Sequence, residues 1–340
     1  MDQANNHIIK INDLYVGYRK GRTDFSLLEG ISLNIHKGQL VAILGRNGTG
    51  KSTLLRTMCG LQRPLSGNII IQGTPINSLS IAVKANKVSF VSTEPVHVGH
   101  MRINDLVALG RTPYTGWFGK LTPGDRKIIS DAIAATGLSE KQDSFIDEIS
   151  DGERQRAMIA RALSQDTDII FLDEPTAFLD VINRYDIFHL LHKLTRQKDK
   201  TIIFSTHDLQ IALSESDRIL LLENKSLIHG APEDLLLSDE LMVLFDREHL
   251  EFNRENASLS LKKELTDEIR IEGVESQTLS FTIKALERLG FKVSKEKGIL
   301  PVIIVRQTKE NNSWILQKKS GTFEFNSIYD LSLHLRNFSN

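Results

Sequence analysis

Three groups of residues in this chain have types and spacings suited to phosphate chemistry. The first is Gly45-Arg46-Asn47-Gly48-Thr49-Gly50-Lys51-Ser52, which reads G-x-x-x-x-G-K-S. Binding phosphate takes many N–H donors converging on a small volume, and glycines let a backbone curl with no Cβ in the way. Lys51 supplies a mobile cation for phosphate oxygens, and the Ser52 hydroxyl is a ligand type for Mg2+. The second is Asp173-Glu174, two adjacent carboxylates closing the apolar run Ile169-Ile170-Phe171-Leu172. One such acid can hold hydrated Mg2+ while the other polarises water. The third is His207, ending Thr201-Ile202-Ile203-Phe204-Ser205-Thr206.

These groups need rigid elements behind them. Gln39 to Leu44 is short, apolar and partly β-branched, which predicts a buried strand. Thr53 to Leu61 predicts a helix closed by Gly60. Strand, glycine-rich loop and helix are the context a phosphate-binding loop requires, and the helix start adds unpaired N–H groups and about half a positive charge. In a parallel sheet, acids that follow a strand lie at its carboxyl edge, where ligands of α/β folds bind. Ser150-Asp151-Gly152-Glu153 precedes an Ala-, Met- and Arg-rich helix reaching Leu163, so Ser150 and Gly152 stand at another natural anion site.

Composition sets bounds. The 340 residues suffice for two domains, and 40% hydrophobic with 25% charged residues is ordinary globular composition. A net charge of −1 argues against a dominant nucleic-acid surface. Cys59 is the single cysteine, so no intrachain disulfide forms, which fits a reducing compartment. The first seven residues have no signal-peptide pattern, and no apolar run approaches the roughly 18 residues that a spanning helix takes.

Elsewhere, residues 8–18 and Leu27 to Ile35 read as strands leading to the loop. Tyr18 is either a ring for adenine or core. Val88 to Thr93 is a further strand, and Asn104 is a candidate cap for the helix after it. Residues 112–119, with Tyr114, Trp117 and Phe118, are either a hydrophobic satellite or a docking surface. Helices are expected over 122–136, 183–197 and 209–216, and a hairpin around residues 223–226. The composition changes near residue 246. Residues 254–270 are charged, a linker or an exposed helix. Beyond them strands at 268–271, 301–306, 314–317 and 322–325, and helices at 276–289 and 327–335, make a small α+β module.

The ordered series of aromatic loop, phosphate loop, Ser-x-Gly-Glu, strand plus Asp-Glu and strand plus His resembles the ATP-binding subunit of an ATP-binding cassette (ABC) transporter. The resemblance covers roughly residues 8–245. It implies a P-loop NTPase cassette, with a RecA-like core, an antiparallel β-subdomain and a helical subdomain. The expected division is 8–245 for the cassette, 246–267 for a linker and 268–340 for the accessory module. The resemblance implies an ATPase using ATP and Mg2+. In it Tyr18 stacks on adenine, and Gly45 to Ser52 with Thr53 hold the phosphates. Ser150, Gly152 and Glu153 complete the site of a second subunit, and Asp180 meets that partner. Asp173 supports Mg2+ with Ser52, Glu174 orients and activates the attacking water, and His207 contacts the γ-phosphate. Lys51, Glu174 and His207 form the catalytic set.

Asp105 to Tyr114, followed by Trp117 to Leu121, is similar to the subfamily that energises import of iron–siderophore, haem or cobalamin complexes. That resemblance implies a homodimer closed through its nucleotide sites and bound to transmembrane permease subunits. It also implies indirect service to a periplasmic or lipoprotein substrate-binding protein, and a place in the cytoplasm on the inner face of the membrane. No nucleic-acid partner is implied. Two positions depart from the family. Thr93 stands where a Gln usually senses Mg2+ and water, so Thr93 enters the metal set without a carboxamide. Asp151 stands where Gly is usual, and its carboxylate is expected to point away from phosphate. The alternatives are a soluble ABC ATPase unconnected with transport and a non-catalytic regulatory cassette. The tail is either a structural or dimer-stabilising appendage or a ligand sensor.

Overall fold

A computed structural model describes residues 7–21, 23–94, 100–116, 119–238, 240–241, 250–253, 258–296, 298–307 and 311–336. In chain order the first strands are β1 (His7–Lys20), β2 (Thr23–His36) and β3 (Leu40–Leu44), followed by α1 (Lys51–Met58). Next come β4 (Ser66–Ile71), β5 (Thr74–Pro75), α2 (Ile81–Ala85), β6 (Val88–Val91) and α3 (Ile103–Ala108). Then follow α4 (Pro123–Ala135), α5 (Asp151–Ser164), β7 (Ile169–Leu172), α6 (Val181–Lys198) and β8 (Thr201–Thr206). The run continues with α7 (Leu209–Glu215), β9 (Arg218–Glu223), β10 (Ser226–Gly230) and α8 (Pro232–Leu237). The chain forms two compact units, 1–246 with 254–258 and 247–253 with 259–340.

The first unit is organised by a six-stranded sheet of order β10-β9-β3-β8-β7-β6. Strand β8 pairs in parallel with β3 on one side and β7 on the other. Their carboxyl ends therefore share one edge, and the residues after each strand meet there. Both faces are covered, which suits runs of Ile, Leu and Phe rather than alternation. On β3, Leu40, Ala42 and Leu44 face a core shared with α3, α4, α5 and α6. Val41 and Ile43 face a second core with α1 and the antiparallel sheet β2-β1-β4-β5. The expected RecA-like core, antiparallel subdomain and helical subdomain are all present.

Local chemistry sets the helix starts. Thr122 and Ser150 each form a reciprocal capping box, with Asp125 and Glu153 respectively. Asp180 caps α6, which therefore begins at Val181 rather than near residue 183. The expectation for Asn104 fails. It lies inside α3, and its backbone N–H donates to the Gln142 carbonyl, so main chain rather than side chain ties down this helix start.

In the second unit β11 (Leu250–Asn253) pairs with β12 (Ser258–Leu261), where a linker or exposed helix was expected. The remaining elements are β13 (Asp267–Glu272), α9 (Gln277–Arg288), β14 (Phe291–Ser294), β15 (Val302–Gln307), β16 (Asn312–Lys318), β17 (Gly321–Phe325) and α10 (Ile328–Arg336). The sheet order is β14-β13-β15-β16-β17. The first three strands are parallel, and β16 and β17 continue antiparallel. Ile269, Ile271, Ile303, Trp314 and Leu316 pack with Leu279, Leu286, Leu331 and Leu335 of α9 and α10. The buried Trp314 indole N–H donates to Thr282 Oγ1 at 2.8 Å, so this polar group is satisfied inside the core.

Candidate active site

The loop after β3 is shaped by glycine. Gly50 takes φ +100 at the N-cap of α1, a conformation an L side chain rarely adopts. At Gly45 a Cβ would lie 2.7 Å from Thr49 Oγ1, so a side chain there would crowd the turn. Arg46, Asn47 and Gly48 are exposed at its tip, and the Thr49 hydroxyl closes the turn on the Arg46 carbonyl at 2.9 Å. Lys51 is buried, and Nζ donates to the Gly45 and Arg46 carbonyls at 3.0 and 3.2 Å. Burial pushes its ammonium below the usual lysine range, with Glu174 and Asp173 opposing that shift.

The sheet edge brings the carboxylates to this loop. Ser52 Oγ donates to Asp173 Oδ1 at 2.9 Å. Asp173 is buried, whereas Glu174 keeps about a quarter of its side chain accessible. Glu174 Oε1 lies 3.8 Å from Lys51 Nζ and 3.5 Å from His207 Nδ1. Glu174 holds φ +46, a left-handed backbone that is unusual for a residue with a side chain and is found at functional sites. Lys51, Ser52, Asp173, Glu174 and His207 are thus one connected cluster, assembled from the ends of three adjacent strands.

Ser205 joins the cluster and was not singled out from sequence. Its hydroxyl donates to Asp173 Oδ1 and accepts the Glu174 N–H. The available signal was a serine two residues before His207, directly after the apolar run Ile202-Ile203-Phe204.

Thr93 Oγ1 donates to the Asp173 main-chain carbonyl at 2.8 Å, which pins the end of β6 to the end of β7. Tyr18 is half exposed, and its hydroxyl shares a 2.5 Å hydrogen bond with Thr53 Oγ1 in the first turn of α1.

Ser150, Gly152 and Glu153 gather at the head of α5. Glu153 also reaches Lys141 Nζ at 2.5 Å, and that bond holds its carboxyl below the ordinary range. A Cβ on Gly152 would fall 2.5 Å from Asn183 Oδ1, so a side chain there would displace the Asn183 amide at the start of α6. Asp180 accepts from the Asn183 N–H and side-chain amide. The Asp151 carboxylate pairs with Arg154 at 2.8 Å. These two line a small cleft with Thr93, Glu94, Phe178 and Leu179.

The Gly110-Arg111-Thr112-Pro113-Tyr114 stretch is a clasp. Arg111 is buried, pairs with Asp125 at 2.8 Å, donates to the Ser164 carbonyl at 3.0 Å and lies 3.9 Å over the Tyr114 ring. Tyr114 donates to the Gln165 carbonyl at 2.9 Å. Trp117 and Phe118, read with Tyr114 as either a hydrophobic satellite or a docking surface, lie outside the described residues.

Similarity to known proteins agrees with this geometry. Residues 28–177 match the ABC transporter family, and residues 266–336 match the iron ABC transporter C-terminal domain. An uncharacterized ABC transporter ATP-binding protein of Methanocaldococcus jannaschii is 37% identical over 75% of this chain and 87% of its own. The petrobactin import ATP-binding protein YclP of Bacillus subtilis is 38% identical over 65% of this chain and 87% of its own. The ferric enterobactin transport ATP-binding protein FepC of Escherichia coli is 34% identical over 66% and 82%. Among solved structures, CbiO1 of Clostridium perfringens, part of the ABC transporter complex CbiONQ, aligns at a TM-score of 0.62 with 28% identity over 70% of this chain and 94% of that one. A dimeric ATP-binding cassette in a post-hydrolysis state with ADP and Pi aligns at 0.58, with 27% identity over 66% and 98%. The chain belongs to the ATP-binding subunits of ABC transporters, and its chemistry is the hydrolysis of ATP.

Proposed function

We propose that this chain is the ATP-hydrolysing subunit of a membrane importer for iron–siderophore complexes or related iron chelates. The observation that carries the reading is the pairing of a cassette similar to petrobactin import and ferric enterobactin transport subunits with a tail matching the iron transporter C-terminal domain. The cassette is assigned to residues 8–245 and the accessory domain to 268–340.

The site residues take these roles. The Gly45–Ser52 backbone and Lys51 hold the phosphates, Thr53 and Tyr18 extend the site, and Tyr18 stacks on the base. Two acceptor-rich side chains already share a bond at Ser52 and Asp173, a donor set that suits a hard cation. Thr93 stands beside them through the Asp173 carbonyl. Ser52 and Asp173 would hold Mg2+, which would supply neutralising charge to the phosphate oxygens. Glu174 orients and deprotonates the attacking water, and His207 contacts the terminal phosphate. Lys51 and His207 both flank Glu174. Phosphate would draw off both side chains and leave the Glu174 carboxylate facing water.

Ser150, Gly152, Glu153 and Asp180 act across a homodimer, each head of α5 completing the partner's site. The dimer works on transmembrane permease subunits that receive cargo from a periplasmic or lipoprotein binding protein. Among the described residues no helix is long and apolar enough to cross a membrane. The chain is placed in the cytoplasm, on the inner face of the membrane through its permease.

The test is uptake of radioiron-labelled siderophore by cells in which Glu174→Gln replaces the native chain. Uptake should fall to background under iron limitation. Uptake at the native rate alongside abolished hydrolysis would remove the transport assignment.

A further inference from the structure

The head of α5 carries two carboxylates in its first turn, Asp151 and Glu153. Ser150 Oγ accepts the Glu153 N–H at 3.3 Å, and the Ser150 carbonyl accepts the Arg154 N–H at 2.8 Å. The Asp151 and Gly152 N–H groups are therefore the donors left open at this helix start. Asp151 holds its carboxylate one methylene from the Cα that follows the first of these donors. Two unmasked negative charges beside a polyanion would cancel the attraction of the helix N-terminus. Each carboxylate has its own cation. Arg154 Nη1 donates to Asp151 Oδ1 at 2.8 Å, and Lys141 Nζ donates to Glu153 Oε1 at 2.5 Å.

We propose that Arg154 is a positioning residue that masks the charge of Asp151, so that the head of α5 accepts the terminal phosphate of ATP held by a second copy of the chain. This role rests on the composite site proposed above and deepens it. The Arg154 guanidinium is no loose surface group. Only 25% of its side chain is accessible, Nε and Nη2 each donate to the Ile146 carbonyl at 3.3 Å, and Nη2 reaches the Ile149 carbonyl at 3.5 Å. Held by main chain, it loses little further side-chain entropy on pairing, the cost that makes most exposed pairs weak. Asp151 keeps 67% of its side chain accessible, so an approaching anion feels its charge unless it is neutralised. Arg154 stands one turn along α5, and the pairing draws the carboxylate back along the side of the helix, away from the open N–H groups. Arg154 also clamps the turn at residues 146–149, and that clamp differs from the mask in its consequence. A lost clamp harms the site whatever residue stands at 151. A lost mask harms it only while residue 151 is charged.

The test uses the full chain carrying Glu174→Gln and reads the ATP concentration that half-converts it to dimer, by light scattering with Mg2+ present. Adding Arg154→Gln should raise that concentration on the order of tenfold at low salt. Adding Asp151→Asn as well should bring it back to within about threefold, and Asp151→Asn without Arg154→Gln should change it by no more than about twofold. The Arg154→Gln deficit should shrink to about threefold or less near 0.5 M NaCl, as a charge effect does and a clamp does not. Thermal melts report folding, and if Arg154→Gln is unfolded, Asp151→Asn alone decides. About tenfold tighter dimerisation in that variant means that the carboxylate was never masked. That result overturns the proposal, as does an unchanged ATP requirement in folded Arg154→Gln, no recovery in the double variant, or a deficit indifferent to salt. A Glu174→Gln chain that stays monomeric at saturating ATP removes the composite site itself, and the mask with it.

Discussion

Ser205 Oγ donates to Asp173 Oδ1 at 2.7 Å from a fully buried position on the adjacent strand. The same oxygen accepts the Glu174 N–H at 2.9 Å. One hydroxyl therefore fixes the side chain of the first acid and the backbone of the second, which is held in a left-handed conformation. Ser205→Ala strips Asp173 of a donor and leaves the Glu174 N–H without its acceptor. Leaving buried groups unmet costs roughly 1–3 kcal/mol. Turnover is expected to fall about ten- to hundredfold, with a raised Mg2+ requirement, while Ser205→Thr keeps most activity. ATPase rates titrated with Mg2+ check this, and an unchanged Mg2+ dependence in Ser205→Ala refutes it.

Tyr18 carries a second prediction. Its hydroxyl is tied to Thr53, while the face of its ring is the part that stacks on a base. Tyr18→Phe keeps the ring and removes the tether, and its ATP affinity should equal or exceed the native one. Tyr18→Ala loses a stacking contact worth roughly 1–3 kcal/mol in comparable systems and should bind ATP about tenfold or more weakly. Equilibrium binding of a fluorescent ATP analogue measures both. Equal weakening by Phe and Ala would show that the hydroxyl, not the ring, holds nucleotide.

Asp125 gives a pH signature. Hydrogen bonds from the Thr122 hydroxyl and N–H, with Arg111, lower its carboxyl from 3.8 to about 2. A depressed carboxylate stabilises the fold fully above its unfolded pKa and loses that contribution as pH falls through its folded one. Asp125→Asn should therefore be less stable than the native chain near neutrality. The gap should narrow as pH drops from about 4 toward 2. Denaturant melts at a series of pH values read this directly, and a gap that stays constant across that window contradicts the assignment.

How far the sequence spoke follows from the distances over which its signals act. The phosphate loop, the two acids and His207 were legible because each is a contiguous motif at a strand end. Ser205 was not, since its role depends on β7 and β8 being neighbours, and strand order is written in no local pattern. The buried role of Arg111 was hidden for the same reason, because its partners Asp125 and Ser164 come from two other helices. Strand β14 escaped notice because four residues, Phe291 to Ser294, follow Gly290 too closely to show a period. The β11–β12 hairpin hid in a stretch whose polarity read as linker.

Thr93 replaces a longer amide and makes a different contact, a 2.8 Å bond to the Asp173 carbonyl. Thr93→Val preserves shape and deletes that bond, a loss of about 0.5–1.5 kcal/mol. Basal hydrolysis should drop a few-fold, and stimulation by permease should drop further, because Thr93 stands where the family's Gln senses Mg2+ and water. Steady-state ATPase with and without reconstituted permease tests this. Unaltered stimulation would remove Thr93 from the coupling route.

The central claim is that Glu174 activates the water that attacks ATP at a site closed by a second copy of the chain. The most direct measurement is single-turnover hydrolysis of bound ATP by Glu174→Gln, with dimer mass followed in the same sample by light scattering. The expected result is a stable ATP-bound dimer that retains native nucleotide affinity and hydrolyses at least about a hundredfold more slowly. Hydrolysis at the native rate, or full loss of activity from a chain that stays monomeric with ATP bound, would contradict it.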